Sequence, residues 1–126
     1  MHTRHVLLVL ITALLATLMW LGLQSPIPEL DPATVEALEA ATEEWWRPGD
    51  PTRTVPESEW PPELRRLRPR VVRATPKGVF ISFASYYVEE RGLFVLPTKS
   101  DYQPQQGTDP AFRVLCSRVY VYGIKG

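Results

Sequence analysis

The sequence predicts an α+β protein with an N-terminal transmembrane helix, one amphipathic helix and then a small antiparallel β-sheet of about four strands. Three observations carry this prediction. An uncharged apolar run extends from Val6 to Leu23. Apolar residues then recur at spacings of three and four between Val35 and Trp45. Beyond Pro69 they follow the period of strands, interrupted by turn residues. The chain has 126 residues, and those after the anchor suffice for one small domain. The expected division is a membrane anchor over 1–23, a spacer, helix and proline-rich linker over 24–63, and a β domain over 64–126.

At 1.5 Å per residue the Val6–Leu23 run makes a helix of about 27 Å, close to the thickness of a bilayer hydrocarbon core. It is longer than the apolar stretch of a cleaved signal peptide, and its exit, Leu21 to Pro26, offers only Leu23 and Ser25 as a weak recognition pair. The expectation is an uncleaved signal-anchor, with a cleaved signal as the alternative. All-round hydrophobicity distinguishes it from a core helix, which keeps a polar stripe. Arg4 precedes the span, whereas the next basic residue after it is Arg47, beyond Glu29, Asp31, Glu36, Glu39, Glu43 and Glu44. This bias places the N-terminus in the cytoplasm and residues 24–126 outside it, in a single-pass protein whose first partner is the bilayer around residues 6–23.

Asp31 followed by Pro32 predicts a helix start, because the carboxylate caps free N–H groups and proline has no N–H to lose in the first turn. Val35, Leu38, Thr42 and Trp45 form one face of a helix over Pro32–Trp46, which Arg47, Pro48 and Gly49 end. Pro48, Pro51, Pro56, Pro61 and Pro62 then exclude regular structure and predict an extended linker or a wrapped loop, with Trp60 pinning it. A short helical turn is expected over Pro62–Leu67. Arg70–Thr75 and Val79–Ala84 read as a hairpin about the Thr75-Pro76-Lys77-Gly78 turn, with Tyr86–Glu89 continuing its second strand. Arg91 and Gly92 read as the next turn and Leu93–Leu96 as the third strand. Phe112 to Ile124 reads as a long last strand, with a bulge or tight turn at Cys116, Ser117 and Arg118, where the apolar parity slips.

Composition excludes more chemistry than it suggests. Lys and Arg number 14 and so do Asp and Glu, so no global charge favours nucleic acid. The two histidines, His2 and His5, precede the anchor, which removes Ser-His-Asp catalysis, Cys-His catalysis and histidine-containing zinc sites from the exported part. Cys116 is the one cysteine, so no internal disulfide forms, and its apolar surroundings suit a small core residue. There is no glycine-rich phosphate loop. No cofactor and no metal are expected.

Two constellations remain as binding candidates. Arg65, Arg66, Arg68, Arg70 and Arg73 lie in a stretch without acids, suited to anionic head groups, an acidic partner or the chain's own acidic helix. The adjacent pairs Trp45–Trp46 and Tyr86–Tyr87 force some rings off any single core face, as do Tyr102, Tyr120 and Tyr122 by their number. The candidate partner-binding residues are therefore Trp45, Trp46, Tyr86, Tyr87, Arg65, Arg66 and Arg68. The expected function is non-enzymatic binding of a protein or envelope component by the extracytoplasmic β domain. The alternative is a carboxylate-dependent hydrolase acting on an envelope glycan through Glu89, Glu90, Asp101 or Asp109. Neighbouring Glu89 and Glu90 point to opposite faces of a strand, which argues against their sharing a substrate.

Overall fold

The computed structural model describes residues 27–86 and 89–125. The anchor expected over 1–23 lies outside the described residues, and among those described no helix is long and apolar enough to cross a membrane.

The amphipathic helix forms as its sequence dictates. Helix α1 spans Pro32–Trp45, with the Asp31 side chain accepting a hydrogen bond from the Thr34 N–H at 2.7 Å. That bond, with a smaller contribution from the Arg66 cation, holds the Asp31 carboxyl below its ordinary value. Leu38, Ala41, Thr42 and Trp45 are its buried face. The Thr42 hydroxyl donates to the Leu38 carbonyl, so its burial leaves no polar group unmet. A second helix, α2 over Pro62–Leu67, follows a 3-10 turn at Glu57–Glu59 and packs against α1.

The proline-rich stretch wraps rather than hangs free. Its Arg53–Thr54 segment is a two-residue strand, β1, paired with Ala74 and Arg73. Val55 follows with 1% exposure, its N–H donating to the Val72 carbonyl. The Trp60 indole N–H donates back to the Val55 carbonyl, closing the wrap.

The sheet has six antiparallel strands in the order β1-β2-β3-β4-β6-β5, not about four. Strand β2 is Val71–Ala74, β3 Val79–Tyr86, β4 Glu89–Val95, β5 Ala111–Cys116 and β6 Val119–Ile124. Two features account for the added strands. The expected last strand folds back at Ser117, whose φ of 49° lies in the left-handed region, and its register shifts between Val114 and Cys116. The other is β1. The Thr75–Gly78 turn stands where expected, closed by the Thr75 N–H donating to the Gly78 carbonyl.

Arg91 and Gly92, read as a turn from the sequence, lie inside β4 instead. The glycine answers to crowding. A Cβ on Gly92 would stand 2.0 Å from the Ile81 carbonyl oxygen and 2.9 Å from the Tyr122 ring. Glycine in a strand interior marks such close approach as readily as it marks a turn.

Each face of the sheet carries its own core. On one, Val72, Ala74, Val79, Ile81, Leu93, Val95 and Val119 pack with Leu38, Ala41 and Trp45 of α1, Leu64 of α2 and Val55. On the other, Phe80, Phe94, Phe112 and Tyr122 form an aromatic cluster flanked by Leu96, Tyr102, Tyr120 and Ile124.

Candidate functional site

The aromatic face is built by alternation. Phe80, Phe94 and Tyr120 lie side by side on β3, β4 and β6, with Arg73 of β2 opposite Phe80. The Phe80 ring meets Phe94 at 4.7 Å between centroids and Tyr122 edge-on at 4.9 Å, both within the range of favourable aromatic pairs. The loop after β4 lays Tyr102 edge-on against Phe94 and Phe112, and the Lys77 ammonium sits 5.2 Å from the Tyr102 centroid.

A polar group crosses this face. The Tyr122 hydroxyl donates to Glu90 Oε2 at 2.6 Å, and Arg73 Nη2 binds the same oxygen. Burial first, then the hydrogen bond to the Glu90 carboxylate, pushes the Tyr122 hydroxyl far above the ordinary range for tyrosine. At neutral pH Tyr122 is therefore a neutral donor. The neighbouring Ser82 Oγ is buried without a hydrogen-bond partner among the described residues. This arrangement locks β2, β4 and β6 together. Its Glu90 Oε2 accepts from two donors, the Arg73 guanidinium and the Tyr122 hydroxyl.

Beside it, where β4, β6 and β5 run together, lies a cavity of about 830 Å³. Arg91, Gly123 and Ala111 stand side by side across these strands, and Gly123 contributes no side chain between its neighbours. A Cβ placed there would meet nothing within 4 Å. Phe112, Tyr122 and Ile124 supply apolar wall. Glu89, Arg91, Asp109, Arg113 and Lys125 supply charge of both signs. All five charged residues are exposed. The Asp109 carboxylate accepts the Lys125 backbone N–H at 2.9 Å, which fixes the loop wall of the cavity to the end of β6.

The candidate residues from the sequence fall in different places. Trp45 and Trp46 are 5% and 7% exposed, and the Trp46 indole N–H donates to the Pro76 carbonyl. These two rings are largely buried, Trp45 in the core and Trp46 clamped to the turn at Pro76, rather than set outward. The pair was expected to leave a ring outside because adjacent helix positions diverge. Trp46 follows the last residue of α1 with an extended backbone, which turns its ring inward as well. Tyr86 ends β3, and Tyr87 lies outside the described residues. Arg65, Arg66 and Arg68 are exposed on and just after α2, away from the cavity lining. Of the carboxylates, Glu89 and Asp109 line the cavity together, Glu90 is bound to Arg73 and Tyr122, and Asp101 does not line it. Among the described residues no group of three or more His, Cys, Asp or Glu is placed to hold a metal ion.

Sequence reasoning missed the cavity residues Arg91, Arg113, Gly123 and Lys125. The available signal was Gly123 between Tyr122 and Ile124, a gap in an otherwise continuous apolar and aromatic strand. Comparison of the chain with protein-family models, with curated proteins and with solved structures finds no match.

Proposed function

We propose that this chain is a non-enzymatic binding module, tethered to a membrane by residues 6–23, whose extracytoplasmic domain holds a protein or envelope component in the cavity between β4, β6 and β5. One observation carries the reading: the cavity combines an apolar wall with charges of both signs, the composition of a site that orients a ligand through a few polar contacts. The groups needed for general acid–base work are weakly represented. No histidine follows the proposed anchor, and the carboxylate with the most enclosed surroundings, Glu90, is bound to Arg73 and Tyr122.

The second reading, a carboxylate-dependent hydrolase of an envelope glycan, is favoured by one feature, the presence of Glu89 and Asp109 around the same cavity. Complementation of a deletion with the full chain separates the two. A Cβ at Gly123 meets nothing within 4 Å, so Gly123→Leu is expected to occupy the cavity and abolish complementation while leaving the thermal midpoint within about 2 °C, as surface-site changes usually do. Glu89→Gln combined with Asp109→Asn is expected to leave complementation intact. Loss of function in that double variant at normal abundance would reverse the order of the two readings. Full function in Gly123→Leu would remove the cavity from both.

A further inference from the structure

Four exposed arginines, Arg65, Arg66, Arg68 and Arg70, follow one another on α2 and the segment leading into β2. Arg53, Arg73 and Arg118 each have a carboxylate within 4 Å, whereas among the described residues none of these four does. What sets them apart from Arg47, Arg91 and Arg113, which also lack a carboxylate within 4 Å among the described residues, is that they follow one another along the chain. Arg65 donates to the Ser58 carbonyl and Arg70 to the Ser85 carbonyl, bonds that hold the side chains in place without neutralising them. The acids around them are Glu63 on α2, Asp31 at the start of α1, and Glu57 and Glu59, which flank Ser58; of these Glu59 is paired with Arg53.

The patch also lies where the chain enters the domain. Helices α1 and α2 pack together, and the Arg66 cation acts on the carboxylate of Asp31, the α1 cap. Asp31 stands eight positions after Leu23, the end of the proposed anchor, and even fully extended this stretch spans at most about 29 Å. The arginines are thus confined near the bilayer surface at high effective concentration. We infer that Arg65, Arg66, Arg68 and Arg70 seat the domain on anionic phospholipid head groups of the membrane that anchors it. Guanidinium groups suit this contact because their fork of N–H donors matches phosphate oxygens. The inference rests on the anchor reading.

The test uses the full chain in bilayer discs of phosphatidylglycerol or of phosphatidylcholine. A fluorophore is placed on Ser58→Cys in a Cys116→Ser background, and quenching by head-group spin-labelled lipid reports proximity of the patch to the surface. Ser58 is exposed, and its carbonyl, which Arg65 uses, survives the substitution. Quenching is expected to be stronger in phosphatidylglycerol and to fall to the phosphatidylcholine level near about 0.5 M salt, where screening acts over about 4 Å. Replacing the four by Arg65→Gln, Arg66→Gln, Arg68→Asn and Arg70→Gln should have the same effect, each arginine weakening the contact about fivefold. Asparagine at 68 tolerates the left-handed backbone there, φ 55°. Equal quenching in both lipids, or quenching indifferent to the four substitutions, overturns the inference and leaves the anchor standing. Failure of the chain to stay with the discs without detergent overturns the anchor and this contact with it. Loss of binding to a protein partner in the arginine variant, without any lipid dependence of quenching, assigns the patch to an acidic protein instead.

Discussion

At the scale of single residues, Gly92 and Tyr122 determine how the two halves of the sheet meet. The Tyr122 ring lies over the space that a side chain at Gly92 would need, and the Ile81 carbonyl closes that space from the other side. Gly92→Ala is expected to cost about 3 kcal/mol or more in denaturant unfolding, since backbone rather than a flexible side chain must move. Tyr122→Phe keeps the ring and removes the hydroxyl that bonds to the charged Glu90, a loss of about 1.5–3 kcal/mol. Its pH signature follows from linkage. The hydroxyl titrates at its ordinary value near 10.0 in the unfolded chain and higher in the folded one, so above that value the folded state holds more protons. This stabilisation is complete below pH 10 and is lost progressively as pH rises from there toward the folded value. Stability measured from pH 9 to 12 should therefore fall less steeply in Tyr122→Phe than in the parent. Neither role was legible in the sequence. Gly92 beside Arg91 satisfies the composition of a turn, and only the register with Ile81 and Tyr122 reveals the crowding.

At the scale of elements, legibility depended on whether the signal was local. The Asp31 cap, the α1 face and the Thr75–Gly78 turn are set by neighbouring residues, and each forms where its sequence predicts. Strand β1 is set by a distant partner, and its two residues carry no period of their own. What fixes that stretch is Val55, buried beneath the wrap and bonded to Val72. The Arg47–Thr54 segment before it is exposed and turns at Gly49, φ 81°. Limited proteolysis of the parent is expected to cut first within that segment, because exposed loops open at low cost. Val55→Ala removes two buried methyl groups, worth about 2 kcal/mol including the residual cavity. If Val55 holds the wrap, the variant should be cut several-fold faster between Arg47 and Trp60, with the Val79–Val95 hairpin protected as before. An unchanged cleavage rate would assign the restraint to Trp60 and its bond to the Val55 carbonyl instead.

At the scale of the whole molecule, the sheet is covered on both faces, which explains the excess of aromatics better than exposure does. Phe80, Phe94, Phe112 and Tyr122 fill a second core, and Tyr102 closes part of it. The sequence held a sign of this: Val79-Phe80-Ile81, Leu93-Phe94-Val95 and Val119-Tyr120-Val121-Tyr122 are apolar at both parities, as in strands buried on two sides. Reading those runs against a single core face assigned the surplus rings to the surface. A two-core sheet with Leu30 and Ile27 packed against its helical side receives the preceding chain next to that core. If residues 6–23 anchor the protein, that is the side through which the tether leaves. The proposed orientation, with the domain outside the cytoplasm, then rests on Arg4 before the span and the absence of Lys or Arg after it until Arg47. A reporter active only outside the cytoplasm, fused after Gly126, should be active, and one active only inside should be silent. Arg4→Glu removes the basic residue that sets the bias, and it is expected to shift part of the population to the opposite orientation. Activity of the cytoplasmic reporter alone in the parent would invert the topology and place the cavity, the arginines and any partner on the inner side of the membrane.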